Sequence, residues 1–276
     1  MSDIPAWQPH PEVWLLIAGV IGLGVYAARV IQPHAVAAGG APITSAQRRW
    51  FALGIFMLWL ASDWPIHDIA EERLYSVHMF QHMLLTVVVP PIMLLATPEW
   101  LGRLIIGDGL FKRVFMRLAR PLPAAIAFNI LAGATHWAGI VNLAVTNGPF
   151  HYLVHTVVVA ASLLIWTPIC GPFPELHMSE PGKMIYIFLM SIIPTVPAAF
   201  LTASDGVLYT AYDHGPRLWG LSVIDDQQMA GVVMKIVEGF YLWVIIFWLF
   251  LKWMKPANES KFRGTLVTTE PKVESS

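Results

Sequence analysis

The chain has a single cysteine, Cys170, among 276 residues, and only 13% of its residues are charged. One thiol excludes an intrachain disulfide and any metal site or relay that needs a cysteine pair. Charge is also nearly balanced, with 17 basic and 18 acidic residues, so no basic surface suggests nucleic acid. A water-soluble surface is hard to build from so few charges. What fills the chain instead is apolar, 56% of its residues, in uninterrupted stretches that reach the about 20 residues needed to cross a bilayer.

These stretches predict helices near residues 13–31, 48–62, 77–97, 122–145, 150–170, 183–203 and 228–253. The expected fold is therefore an all-α integral membrane protein, a seven-transmembrane-helix bundle over 1–255, followed by a polar tail at 256–276 expected to be disordered. Asp3 and Glu12 precede the first stretch where a signal peptide would be basic, and no small-residue cleavage site follows, so it is read as a retained helix. Basic residues concentrate at alternate connections: Arg29, Arg48 and Arg49; Arg103, Lys112, Arg113, Arg117 and Arg120; Lys183; then Lys252, Lys255, Lys261 and Arg263. Those ends are expected to be cytoplasmic, which puts the N-terminus outside and the C-terminus inside. The segment from Pro98 to Pro121 reads as an amphipathic stretch on the cytoplasmic surface.

Applied to the ten histidines, this topology gathers six of them on the outer face. His78 and His82 begin the third helix, His136 is near the end of the fourth, and His151 and His155 begin the fifth. At about 1.5 Å per residue, His82 and His155 would lie roughly 8 Å below their outer helix ends. The two His-x-x-x-His pairs each place both imidazoles on one helix face. His67 sits in the preceding outer loop and His214 in the loop before the seventh helix, while His10 and His34 are expected to lie apart from the site. A lone histidine in a membrane helix is usually a hydrogen-bonded packing group; five on one side imply a shared cavity.

Imidazole suits Cu, Zn, Fe and Ni, and thioether sulfur nearby selects for Cu(I). Met79, Met83, Met229 and Met234 supply such sulfurs, although methionine is also a common gap-filler. Zinc stays open, since Asp225 or Asp226 offers a carboxylate. Pro90 and Pro91, Pro168, and Pro194 with Pro197 should kink or break the third, fifth and sixth helices. Lys235 and Glu238, three residues apart in the seventh helix, are expected to form an intramembrane ion pair. A lysine there also fits a retinal protein, but the third helix offers histidines and a double proline where an acidic counter-ion would stand.

The ordered set of motifs resembles the multi-spanning CtaG family of cytochrome c oxidase assembly factors over roughly residues 63–250. The resemblance is carried by His78-Met79-Phe80-Gln81-His82-Met83-Leu84-Leu85 with Pro90-Pro91 and Pro98, by Thr135-His136-Trp137, by His151 to His155 with Trp166, and by Asp226-Gln227-Gln228-Met229-Ala230-Gly231. It implies a non-enzymatic role in maturing haem-copper oxidase in a bacterial cytoplasmic membrane, with oxidase subunits and a soluble copper carrier as partners. Joined to the histidine geometry, the expected site holds copper, Cu(I) rather than Cu(II), through some of His78, His82, His136, His151 and His155. His67, Met79, Met83, Asp226 and Gln227 are expected as accessory groups. Two other readings stay open on the residues alone: a b-type haem protein passing electrons through two axial histidines, and a transporter of copper or protons.

Overall fold

The computed structural model describes residues 5–192, 194–213 and 218–254; the expected tail, His214 and Arg217 lie outside the described residues. Among the described residues the chain is helical throughout, with no strand. The helices are α1 (Pro11–Ala37), α2 (Ser45–Ser62), α3 (Ile66–Glu72), α4 (Tyr75–Ala96), α5 (Glu99–Ile106), α6 (Leu110–Leu118), α7 (Pro121–Thr135), α8 (Ala138–Thr146), α9 (Gly148–Cys170), α10 (Glu180–Ile192), α11 (Thr195–Ala203) and α12 (Val223–Met254).

Five helical runs are long and apolar enough to cross a membrane: α1, α4, α9, the α10–α11 pair and α12. A sixth is added if α6 and α7, bent by 82°, count as one span. The protein is therefore a multi-pass membrane protein. Large apolar side chains such as Leu15, Leu23, Ile130, Phe200 and Phe240 stand exposed along these helices, as a lipid-facing surface requires.

Two of the seven expected spans do not meet that standard, each for a local reason. Helix α2 has 18 residues, but Gln47, Arg48 and Arg49 in its first turn dilute its hydropathy. There Thr44 and Gln47 form a reciprocal cap, the Thr44 Oγ1 accepting from Gln47 N at 3.1 Å and the Gln47 Oε1 accepting from Thr44 N at 3.0 Å. The helix expected at 122–145 breaks into α7 and α8 at His136–Trp137. His136 Nδ1 donates to Ala132 O at 2.6 Å, taking the carbonyl that the His136 N–H would use in a continuing helix, and that N–H turns to Gly133 O instead.

The helix expected at 183–203 is divided into α10 and α11 beside Pro194, but Pro197 lies inside α11, α9 runs through Pro168 and α4 is not broken by Pro90 and Pro91. It passes through a π-helical turn at Leu84–Val88. Pro90 has no N–H for the carbonyl of Thr86, four residues back. That carbonyl accepts instead from α9, from the hydroxyl of Ser162 and from Trp166 Nε1 at 3.1 Å. The two histidine-bearing helices are thus joined by side chains just below the histidines. Around this joint, Met83, Val87, Ile165, Trp166, Ile169, Ile187, Leu242 and Leu249 form the largest buried cluster. A second cluster of Tyr75, Met79, Val141, Ala198, Leu201, Tyr209, Tyr212 and Met234 lies toward the histidine-bearing end of α4. The start of α12 packs closely on α11: a Cβ on Gly231 would come within 2.6 Å of Ala198 O.

Candidate metal centre

The histidines of α4 and α9 are positioned by helix starts, and His136 by the end of α7. Asn147 caps α9, its Oδ1 accepting from Phe150 N at 3.1 Å, so His151 falls in the first turn and His155 one turn further in. Helix α4 is capped from a distance. Asp226 of α12, wholly buried, accepts from Tyr75 N at 2.8 Å, Ser76 N at 3.0 Å and the Ser76 hydroxyl at 2.6 Å. Asp226, expected as an accessory group, fixes the entry angle of the helix that carries His78 and His82. Gln227 likewise works through the backbone, accepting from Leu208 N and Tyr209 N and donating to Tyr209 O, while the Tyr209 hydroxyl donates to His136 O at 2.9 Å.

All five expected histidines, His78, His82, His136, His151 and His155, line one cavity together with Tyr75, Met79 and Thr135. Ring centroids are 4.5 Å apart for His78–His82 and for His82–His155, and 4.2 Å for His151–His155. One ring nitrogen from each of His78, His82 and His155 lies within 4.8 Å of the others. His151 and His155 make a second such group with Glu71. His136 faces the same space without joining either group. It donates through Nδ1, so its Nε2 is an acceptor, and that atom is buried without a partner among the described residues. His155 Nε2 is buried and unpartnered in the same way.

Glu71 is the site residue that sequence reasoning misses, since nothing in the sequence sets it apart from the other outer acidic residues. Its Oε1 accepts from His78 Nδ1 at 3.2 Å and His151 Nε2 at 3.1 Å. Burial alone would raise this carboxyl, but the bonds from His151 and His78 hold it well below the ordinary carboxylate range. A carboxylate acceptor at each contact calls for a proton on Nδ1 of His78 and on Nε2 of His151, so that in the neutral ring the other nitrogen carries the lone pair. This is the arrangement by which outer carboxylates orient metal-binding imidazoles. Buried imidazoles with unpartnered lone pairs fit a soft or borderline metal ion.

The chain matches, over residues 24–256, the model of a family described as cytochrome c oxidase caa3 assembly factor (Caa3_CtaG). The chain belongs to the Caa3_CtaG family. No curated protein and no solved structure matches it. The family's role is assembly of the oxidase, and the match covers the helices that carry all five clustered histidines of this Caa3_CtaG protein.

The remaining expected residues are placed differently from one another. Met79 lines the histidine cavity, and Met83 lines an adjoining one with His82, His136, Met234 and Glu238. Met229 is largely exposed on α12. The expected Lys235–Glu238 pair does not form: Lys235 Nζ donates to Thr195 Oγ1 at 2.6 Å, and no ion pair links it to Glu238 among the described residues. A π-helical turn at Val233–Val237 separates the two, altering the i, i+3 geometry that would bring them together. His67 is held by Gln81, whose Nε2 lies 3.2 Å from His67 Nδ1, and burial lowers its pKa below the ordinary histidine value. His10, expected to stand apart, lies against it, with ring centroids 5.0 Å apart.

Proposed function

We propose that this Caa3_CtaG chain takes up copper at the outer face of a bacterial cytoplasmic membrane and passes it to the haem-copper oxidase under assembly. The observation that carries the reading is the convergence of His78, His82 and His155 within 4.8 Å, with His78 held from behind by Glu71. His78 and His82 with His155 bind the ion as Cu(I), with Met79 beside them; His151 and His136 are the nearest further imidazoles for transfer. In the Irving–Williams order an all-imidazole site prefers copper over zinc in the divalent state, and thioether favours the monovalent one. A b-type haem would need two imidazoles opposed across a flat slot, whereas here two of the three come from one helix.

The seven-span count and the N-outside orientation belong to this reading. It takes α2 as a span and α7 with α8 as another, and places the histidine-bearing ends opposite the connections rich in Arg103, Lys112, Arg113 and Arg117. Copper is cargo, so the chain needs no chemistry beyond binding and release. Elemental analysis with an optical spectrum of protein purified in mild detergent, beside a His82→Ala/His155→Ala variant, tests it. Near-stoichiometric copper that the variant loses supports the reading. Equal copper in both, or a Soret band without copper, overturns it.

A further inference from the structure

We propose that His10, His67 and Asp68 form a second metal site, separate from the histidine cavity, for a divalent cation of the Cu(II) type. One ligand atom from each of the three lies within 4.8 Å of the others. They come from two places in the chain, the residue that precedes α1 and the first turn of α3. His10 Nε2 is 2.7 Å from Asp68 Oδ1, and the His10 and His67 rings meet edge to face.

The independent sign of a missing ligand is on Asp68 itself. The residue is only 3% exposed, yet its Oδ2 is buried with no hydrogen-bond partner among the described residues. A buried carboxylate oxygen left bare is costly. A cation shared with the two imidazoles satisfies it. Without metal, His10 bridges two carboxylates, Asp68 through Nε2 and Glu12 through Nδ1 at 3.3 Å, so a proton holds the place that the cation would take.

The donor set differs in kind from that of the cavity. Two imidazoles and a carboxylate are borderline-to-hard donors without a thioether, which suits a divalent ion, and Cu(II) binds such sets most strongly among the divalent first-row metals. The two sites share one short helix: His67 belongs to the outer group and Glu71, one turn on, to the inner. This site does not depend on the copper reading of the cavity, since none of its three ligands lines that cavity.

The test uses the tag-free, full-length protein in mild detergent, in a His78→Ala/His82→Ala/His155→Ala background that removes His155 from both ligand groups of the cavity. Chelator-buffered Cu(II) titration with electron paramagnetic resonance should show one remaining Cu(II) with two nitrogen ligands. Adding His10→Gln or Asp68→Asn should weaken it by about 10–100-fold or more, since loss of outer-sphere partners alone costs that much. His10→Gln alters only the chain before α1, so it keeps the test informative if Asp68→Asn does not fold. No Cu(II) in the background, or equal affinity in the background and both added variants, overturns the proposal. Equal copper in wild type and background would sink the cavity reading while leaving this site standing.

Discussion

Replacing Asp226 by alanine should destabilise the protein by an amount that its hydrogen bonds set. The Tyr75 and Ser76 N–H groups at the start of α4 both point at this carboxylate, which has no exposed surface. Each buried donor left unpaired costs about 1–3 kcal/mol, so the two together give about 2–6 kcal/mol. The Ser76 hydroxyl can rotate to another acceptor and is not counted. Asp226→Asn keeps one oxygen and should cost about half as much, while Ser76→Ala, which leaves both backbone bonds in place, should cost about 1 kcal/mol. Equilibrium unfolding in mixed SDS and mild detergent, followed by far-ultraviolet circular dichroism, ranks the three. If Asp226→Ala falls within about 1 kcal/mol of wild type, or below Ser76→Ala, the claim that α12 caps α4 is refuted.

Glu71→Gln keeps the shape but removes the basic acceptor behind His78 and His151, so copper affinity should fall by about 10–100-fold with the fold intact; unchanged affinity in a chelator competition would exclude the orienting role. Asp63, at the C-terminal end of α2, should make stability depend on acid. Burial would raise its carboxyl, but the indole N–H groups of Trp14 and Trp59 and the Trp64 amide lower it below its ordinary value of 3.8. A group depressed in the folded state stabilises above its unfolded pKa and loses that contribution as pH falls through the folded one. Asp63→Asn should therefore be less stable than wild type at neutral pH and converge on it as pH falls below 3.8 and through the lowered folded-state value in thermal unfolding; a gap that persists in acid would contradict this. Finally, Ser162→Ala and Trp166→Phe each leave Thr86 O one partner, whereas the double variant leaves none. The double loss should exceed the sum of the single losses by about 1 kcal/mol, and strict additivity would show that the carbonyl does not need them.

The parts of the site that local spacing determines are legible in the amino-acid sequence. The i, i+4 pairs His78–His82 and His151–His155 follow from helix geometry, and these four residues share a cavity with His136. Glu71 is not legible, because it reaches the cavity only through the packing of α3 on α4, and nothing local separates it from Glu72 beside it. The position of His10 depends on the chain before α1 folding back onto α3, a contact across more than fifty residues. Asp226 carries the right signal, an acidic residue entering the membrane region beside the histidines, but its acceptor role is set by where α4 begins. The break after His136 and the failure of Lys235 to meet Glu238 have separate local causes. In both, a local hydrogen bond or an extra residue in the turn displaces the regular helical period on which the expectation rests.

The double donation to Thr86 O also limits how the site can open. With Ser162 and Trp166 holding that carbonyl, α4 and α9 cannot slide along one another without losing both donors, so their relative register is pinned a single turn inward of His82. Rotation about this pin has to release only the Glu71 bridge between His78 of α4 and His151 of α9, on the histidine side of the joint. Swinging the outer ends apart by a small angle would separate His82 from His155 while the inner ends stay in place, so the histidine cavity can part like the jaws of a clamp with its pivot at Thr86.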